Sequence, residues 1–117
     1  MSIQRVAIIG LGLLGGSLGL ALKEYRPEIA TTGYDADLET KRRASERGLV
    51  GTVCETARDA VADADLVVLC VPVGAMGAVA SEIADALPAH AIVSDVGSSK
   101  ASIHAAISAC ASRKPLK

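Results

Sequence analysis

The stretch RVAIIGLGLLGGSLGLALK, Arg5 to Lys23, decides how the whole chain is read. Seventeen uncharged residues, Val6 to Leu22, lie between two basic side chains. A helix that crosses a bilayer needs about 20 apolar residues. This run is shorter and carries five glycines. The Gly12/Gly16 and Gly15/Gly19 spacings would suit a small-residue helix interface in lipid. As a secretion signal the run lacks a small-residue cleavage site, because ALKEYRP follows. The remaining reading splits the run in two. Ile3 to Ile9 form a buried strand, glycines make a turn, and a helix extends from about Leu14 to Tyr25.

The rest of the chain supports that division. Its 117 residues suffice for one small domain with its own core. Half the residues are hydrophobic but only 2% are aromatic, so the core is built from Ala, Val, Leu and Ile. The net charge is -1, with both signs mixed along the chain. No basic face for nucleic acid emerges. Cys54, Cys70 and Cys110 form no C-x-x-C pair, and neither His90 nor His104 stands at ligand spacing from them. They read as reduced, mostly buried thiols of a cytoplasmic protein, with no metal site.

Strands and helices alternate. Ile29–Asp35 is predicted as a strand. Asp37 caps a helix over Leu38–Arg47, with Glu39 and Arg43 as a surface pair and Gly48 as its stop. LVGTVCE holds a short strand, and a helix follows over Thr56–Ala62. Asp65–Val71 is the clearest buried strand, ended by Pro72. Met76, Val79, Ile83 and Leu87 mark the next helix, which Pro88 closes. Ala91–Val96 is a further strand, and Ile103, Ile107 and Cys110 mark a last helix. Residues 113–117 form a basic tail that fits no further element. The alternation implies an α/β, Rossmann-like, doubly wound fold: a mainly parallel sheet with helices on both faces.

Gly10, Gly12 and Gly15 then match G-x-G-x-x-G between a strand and a helix. Gly10 permits the tight turn, Gly12 lets a pyrophosphate approach the backbone, and Gly15 brings the helix close to the strand. The N–H groups of the first turn, at Leu13 and Leu14, face the phosphates. Asp35 stands 20 residues after Gly15, at the end of the second strand, where its carboxylate meets the ribose hydroxyls of NAD. That carboxylate repels a 2′-phosphate, and no Arg follows directly. NAD is therefore favoured over NADP, although Arg42 and Arg43 lie one or two turns away. A Walker A loop is excluded, because no Gly-Lys-Ser/Thr follows the glycines.

In open parallel sheets, ligands sit outside the carboxyl ends of the strands. Two further segments end there. Val71, Pro72 and Val73 would run beside the cofactor's ribose and nicotinamide, with Pro72 equally readable as a plain strand terminator. SDVGSSK, Ser94–Lys100, places an Asp, two hydroxyls and a Lys near the nicotinamide end.

VAIIGLGLLGGSLGLAL, GYD, ADLVVLCVPV and VSDVGSSK together resemble, in order and spacing, the prephenate and arogenate (cyclohexadienyl) dehydrogenases. The resemblance runs from Ile3 to about Cys110. The glycines alone would also admit hydroxyacid dehydrogenases, imine reductases or a stand-alone NAD(H)-sensing module. The family resemblance implies oxidative decarboxylation of prephenate or arogenate in tyrosine synthesis, in a full-length enzyme that is a homodimer. It implies that Ser98 lies next to the catalytic His and the nicotinamide, and that Asp35 selects the adenosine ribose. That His belongs to a His-Pro motif after the next strand, and neither His90 nor His104 matches it. Residues 1–112 are accordingly expected to be the cofactor domain. The family's helical substrate and dimerisation domain is expected to lie outside these residues, and the chain is expected to be inactive alone.

Overall fold

A computed structural model of the chain describes residues 3–95. Five parallel strands are β1 (Arg5–Ile9), β2 (Ala30–Tyr34), β3 (Thr52–Val53), β4 (Leu66–Leu69) and β5 (Ile92–Asp95). Their spatial order is β3-β2-β1-β4-β5. Four helices connect them: α1 (Leu13–Tyr25), α2 (Leu38–Arg47), α3 (Ala57–Val61) and α4 (Val73–Ile83). The chain runs outward from β1 to β3, then crosses back to β4 on the other side of β1. That reversal makes the point between β1 and β4 the switch point of the sheet.

The strand period sorts the core into two layers. Val6 and Ile8 of β1, with Leu66 and Val68 of β4, face Leu18 and Leu22 of α1 and Ala44 of α2. Ala7 and Ile9, with Val67 and Leu69, face Ala57, Ala60 and Val61 of α3 and Ile83 of α4. Both faces of the central strands are covered, which is why β4 reads LVVL without alternation. Side chains such as Ile8, Leu18, Leu22 and Leu66 are fully buried. Each stabilises the fold by roughly 1.5–3 kcal/mol. Helix α1 reaches its layer through a glycine-thinned face. A Cβ on Gly19 would stand 2.1 Å from the Leu49 carbonyl oxygen.

Local chemistry sets several boundaries where the sequence places them. The Asp37 carboxylate caps α2 by accepting from the Thr40 N–H at 2.8 Å. Those Thr40 bonds hold the Asp37 carboxyl below the usual range. Gly48 ends the helix in the left-handed region, at φ +64°. Thr56 caps α3 by accepting from the Asp59 N–H at 3.0 Å. Other boundaries differ from the expectation. Helix α4 stops at Ile83 rather than Leu87, and the chain continues in a tighter turn in which the Ala86 N–H bonds the Ile83 carbonyl three residues back. The ladders are shorter than the apolar runs, since pairing ends where a neighbouring strand ends. The expected Glu39–Arg43 pair is replaced: Arg42 lies between Glu39 and Glu46 on the helix surface and bonds both. Cys54 and Cys70 are free thiols, partly rather than mostly buried. The last predicted helix, Cys110, His104 and the basic tail lie outside the described residues.

At the amino ends of the strands, opposite the glycine loop, Asp65 ties three segments together. One carboxylate oxygen accepts from the Gln4 and Arg5 N–H groups at 2.8 and 2.9 Å. The other lies 2.8 Å from Nε2 of His90. Partial burial pushes the Asp65 carboxyl up, but these bonds together hold it below its ordinary value. No described helix is long and apolar enough to cross a membrane.

Candidate functional site

The carboxyl ends of β1, β2 and β4 open into a cleft of about 390 Å³. Gly10, Gly12, Asp35, Val71 and Pro72 line it, as do Tyr34, Ala36, Ala57, Cys70, Ala75, Val79 and Glu82. A larger hollow of about 500 Å³ lies between Lys23 at the end of α1 and the Gly48–Thr52 segment. It includes the start of β2, at the opposite end of the strands, and its polar groups bond within the protein: Lys23 lies on the Gly48 carbonyl and Thr31 accepts from the Gly51 N–H. The smaller cleft is the candidate site, because it occupies the switch point.

Each glycine of the fingerprint meets a different demand. Gly10 adopts φ +100°, and a Cβ there would fall 2.4 Å from the Cys70 carbonyl oxygen. A Cβ on Gly15 would fall 1.7 Å from the Gly10 oxygen, so only hydrogen permits the helix to start this close to β1. A Cβ on Gly12 would meet nothing within 4 Å. The backbone at Gly12 is therefore open to a ligand rather than crowded by protein. Gly12 is also the N-cap of α1, and no side chain caps that end. The N–H groups at the first turn, Leu13 and Leu14 among them, have no partner within the helix and carry its positive dipole end. Leu13, Leu14 and Gly15 flank the cleft as that turn rather than as its walls.

Asp35 follows β2 directly, and the structure shows a contact that spacing did not announce. One carboxylate oxygen accepts from the Leu11 N–H at 2.8 Å, and the other accepts from the Asp37 N–H at 2.9 Å. The carboxylate thus ties the β2 end to the glycine loop. Each oxygen keeps a further lone pair for a ligand. Asp35 and Glu82 are the charged residues lining the cleft, and Lys, Arg and His are absent from its described walls. Arg42 points its guanidinium into bonds with Glu39 and Glu46.

Cys70 borders the cleft just after β4, and burial pushes its thiol up to about 12. Burial likewise raises the Cys54 thiol. Val73 opens α4 immediately after Pro72. Ser98 and Lys100 lie outside the described residues. Sequence reasoning missed the α4 wall. Ala75, Val79 and Glu82 stand at i, i+4 and i+7, a helical spacing offset from the apolar stripe of Met76, Val79, Ile83 and Leu87 that marks the helix in the sequence.

Comparison with known proteins agrees with this geometry. The family of prephenate dehydrogenase nucleotide-binding domains matches residues 18–116. The cyclohexadienyl dehydrogenase of Zymomonas mobilis is 45% identical over 100 residues, covering 86% of this chain and 34% of the relative. A crystal structure of prephenate dehydrogenase from A. aeolicus, in complex with hydroxyphenyl propionate and NAD+, is 27% identical. It superposes at a TM-score of 0.75 over 90% of this chain and 38% of that one. Synechocystis arogenate dehydrogenase is 28% identical, with a TM-score of 0.73 over 81% of this chain and 33% of that one. The chain spans about a third of the length of the relatives it matches.

Proposed function

Because the chain belongs to the prephenate dehydrogenase family as its nucleotide-binding domain, we propose that it is the NAD-binding part of an enzyme that oxidatively decarboxylates prephenate or arogenate. The observation that carries this reading is the convergence at one cleft of an open Gly12, an uncapped α1 N-terminus and the Asp35 carboxylate. The residues present fit the cofactor. Gly10, Gly12 and the first-turn N–H groups of Leu13, Leu14 and Gly15 would hold the pyrophosphate, and Asp35 would accept from the adenosine ribose hydroxyls. Val71, Pro72 and Val73 would border the ribose and nicotinamide. When bound, NAD supplies the acceptor for a hydride from the substrate ring.

The wall chemistry supports NAD over NADP. A 2′-phosphate would meet the Asp35 carboxylate, and no cation lines the described cleft. Arg42 is already engaged by two carboxylates. In the same reading Ser98 is a catalytic-site residue beside the nicotinamide. His90 supplies no base, because it sits on Asp65 at the amino end of β4, opposite the cleft. These 117 residues then bind cofactor without turning substrate over. The whole enzyme is proposed as a cytoplasmic homodimer, and the free thiols at Cys54 and Cys70 suit a reducing compartment.

Isothermal titration of the 117-residue chain with NAD and NADP tests the reading. Saturable NAD binding, with NADP at least about tenfold weaker, is the expected result. Absence of any NAD binding, or a preference for NADP, would overturn it.

A further inference from the structure

The cleft that Asp35 and the glycine loop line is also lined by α3 and α4. Its wall there is short and apolar, made by Ala57 at the start of α3 and by Ala75 and Val79 on α4. Glu82 borders the same cleft one turn past Val79 on the same helix. Its side chain is exposed, and among the described residues no hydrogen bond or ion pair engages its carboxylate. Arg58 gives its guanidinium to the Glu82 main-chain oxygen and to the Asp85 carboxylate. The cleft thus carries an acceptor-only group with no protein donor to satisfy it.

We propose that Glu82 is a specificity residue for the base of the nucleotide, accepting a hydrogen bond from the 6-amino group of a purine held in the slot of Ala57, Ala75 and Val79. This rests on the NAD reading above, because Asp35 must hold the ribose for the base to reach that slot. A planar ring suits walls that project only one to three carbons. The Glu82 carboxylate then reads the one edge that separates adenine from its deaminated form. Adenine presents a donor at position 6, and hypoxanthine presents a carbonyl oxygen there. The carboxylate and that carbonyl are both acceptors and repel, and the donor that deamination creates, N1–H, lies beside the position the 6-amino group filled rather than at it.

The experiment titrates the 117-residue chain, wild type and Glu82→Gln, with NAD and with nicotinamide hypoxanthine dinucleotide. Wild type is expected to bind NAD about tenfold more tightly than the deaminated dinucleotide. Glutamine offers both a donor and an acceptor, so E82Q is expected to bind the two within about threefold of each other. A wild-type protein without preference, or an E82Q variant that keeps it, overturns the assignment while leaving NAD binding intact. Failure of wild type to bind NAD removes the cofactor reading, and this assignment with it.

Discussion

Replacing Asp35 with alanine separates two roles that its carboxylate combines. In the free protein the substitution strips the acceptors from the N–H groups of Leu11 and Asp37. Asp37 is exposed, so water replaces its bond. Leu11 is 2% exposed, so its N–H loses its acceptor in a place that water reaches poorly. An unsatisfied donor of that kind costs about 2 kcal/mol. For a domain near this size the expected fall in Tm is roughly 8 °C, with no ligand present. Loss of the ribose contacts comes on top. A hydrogen bond to a charged group contributes about 1.5–3 kcal/mol, so NAD affinity should fall by roughly 10- to 100-fold. NADP is relieved of the carboxylate's repulsion of its 2′-phosphate, which offsets what the loosened glycine loop costs both cofactors. Asp35→Asn keeps one oxygen for the Leu11 N–H and should lose less than half as much stability. The assays are thermal unfolding without ligand and calorimetric titration with each cofactor. A Tm for D35A within about 2 °C of wild type would refute the loop-anchoring role. Equal fractional losses for NAD and NADP would remove Asp35 from the ribose site.

Other substitutions test the remaining contacts. Gly15→Ala puts a methyl 1.7 Å from the Gly10 oxygen and should cost at least about 3 kcal/mol of stability by denaturant unfolding. Gly12→Ala meets no protein atom within 4 Å, so its Tm should stay within about 3 °C while NAD affinity drops at least tenfold. The reverse order of these two effects would falsify the division of labour between the glycines. Asp65→Ala should cost about 2 kcal/mol at neutral pH, through the lost Gln4 and Arg5 bonds. Because the folded carboxyl titrates below its unfolded value of about 3.9, this contribution is full above that pH and disappears as pH falls further. Urea unfolding of both proteins across acid pH should show the gap closing, and a gap that persists at the lowest pH would contradict the assignment. Cys70, with its thiol near 12, is about one part in ten thousand thiolate at pH 8. It should resist iodoacetamide in the folded protein and react promptly in denaturant.

Much of the fold was legible because it depends on neighbours in sequence. The Asp37 cap, the Gly48 stop and the strand–glycine–helix order each arise from contacts a few residues apart. The glycine loop was legible for the same reason, since Gly10 and Gly15, five residues apart, answer to each other. Asp35 was found by its distance from the glycines. Its bond to Leu11 was not, because it spans 24 residues and depends on how β2 lies beside β1. Asp65 illustrates the same limit across 60 residues. It read as the first residue of a strand, and its work of binding the start of β1 appears only when β4 is laid alongside.

The sequence by itself determined the class of fold, the glycine turn before α1 and the acidic residue after β2, because periodicity and glycine spacing are local properties of the chain. Tertiary structure alone decided the strand order β3-β2-β1-β4-β5, the place of the cleft and which side chains wall it. Nothing local brings Glu82 to the cleft that holds Asp35. The parallel sheet does so, by placing the ends of β2 and β4 on either side of β1 and seating α3 and α4 against the face they share.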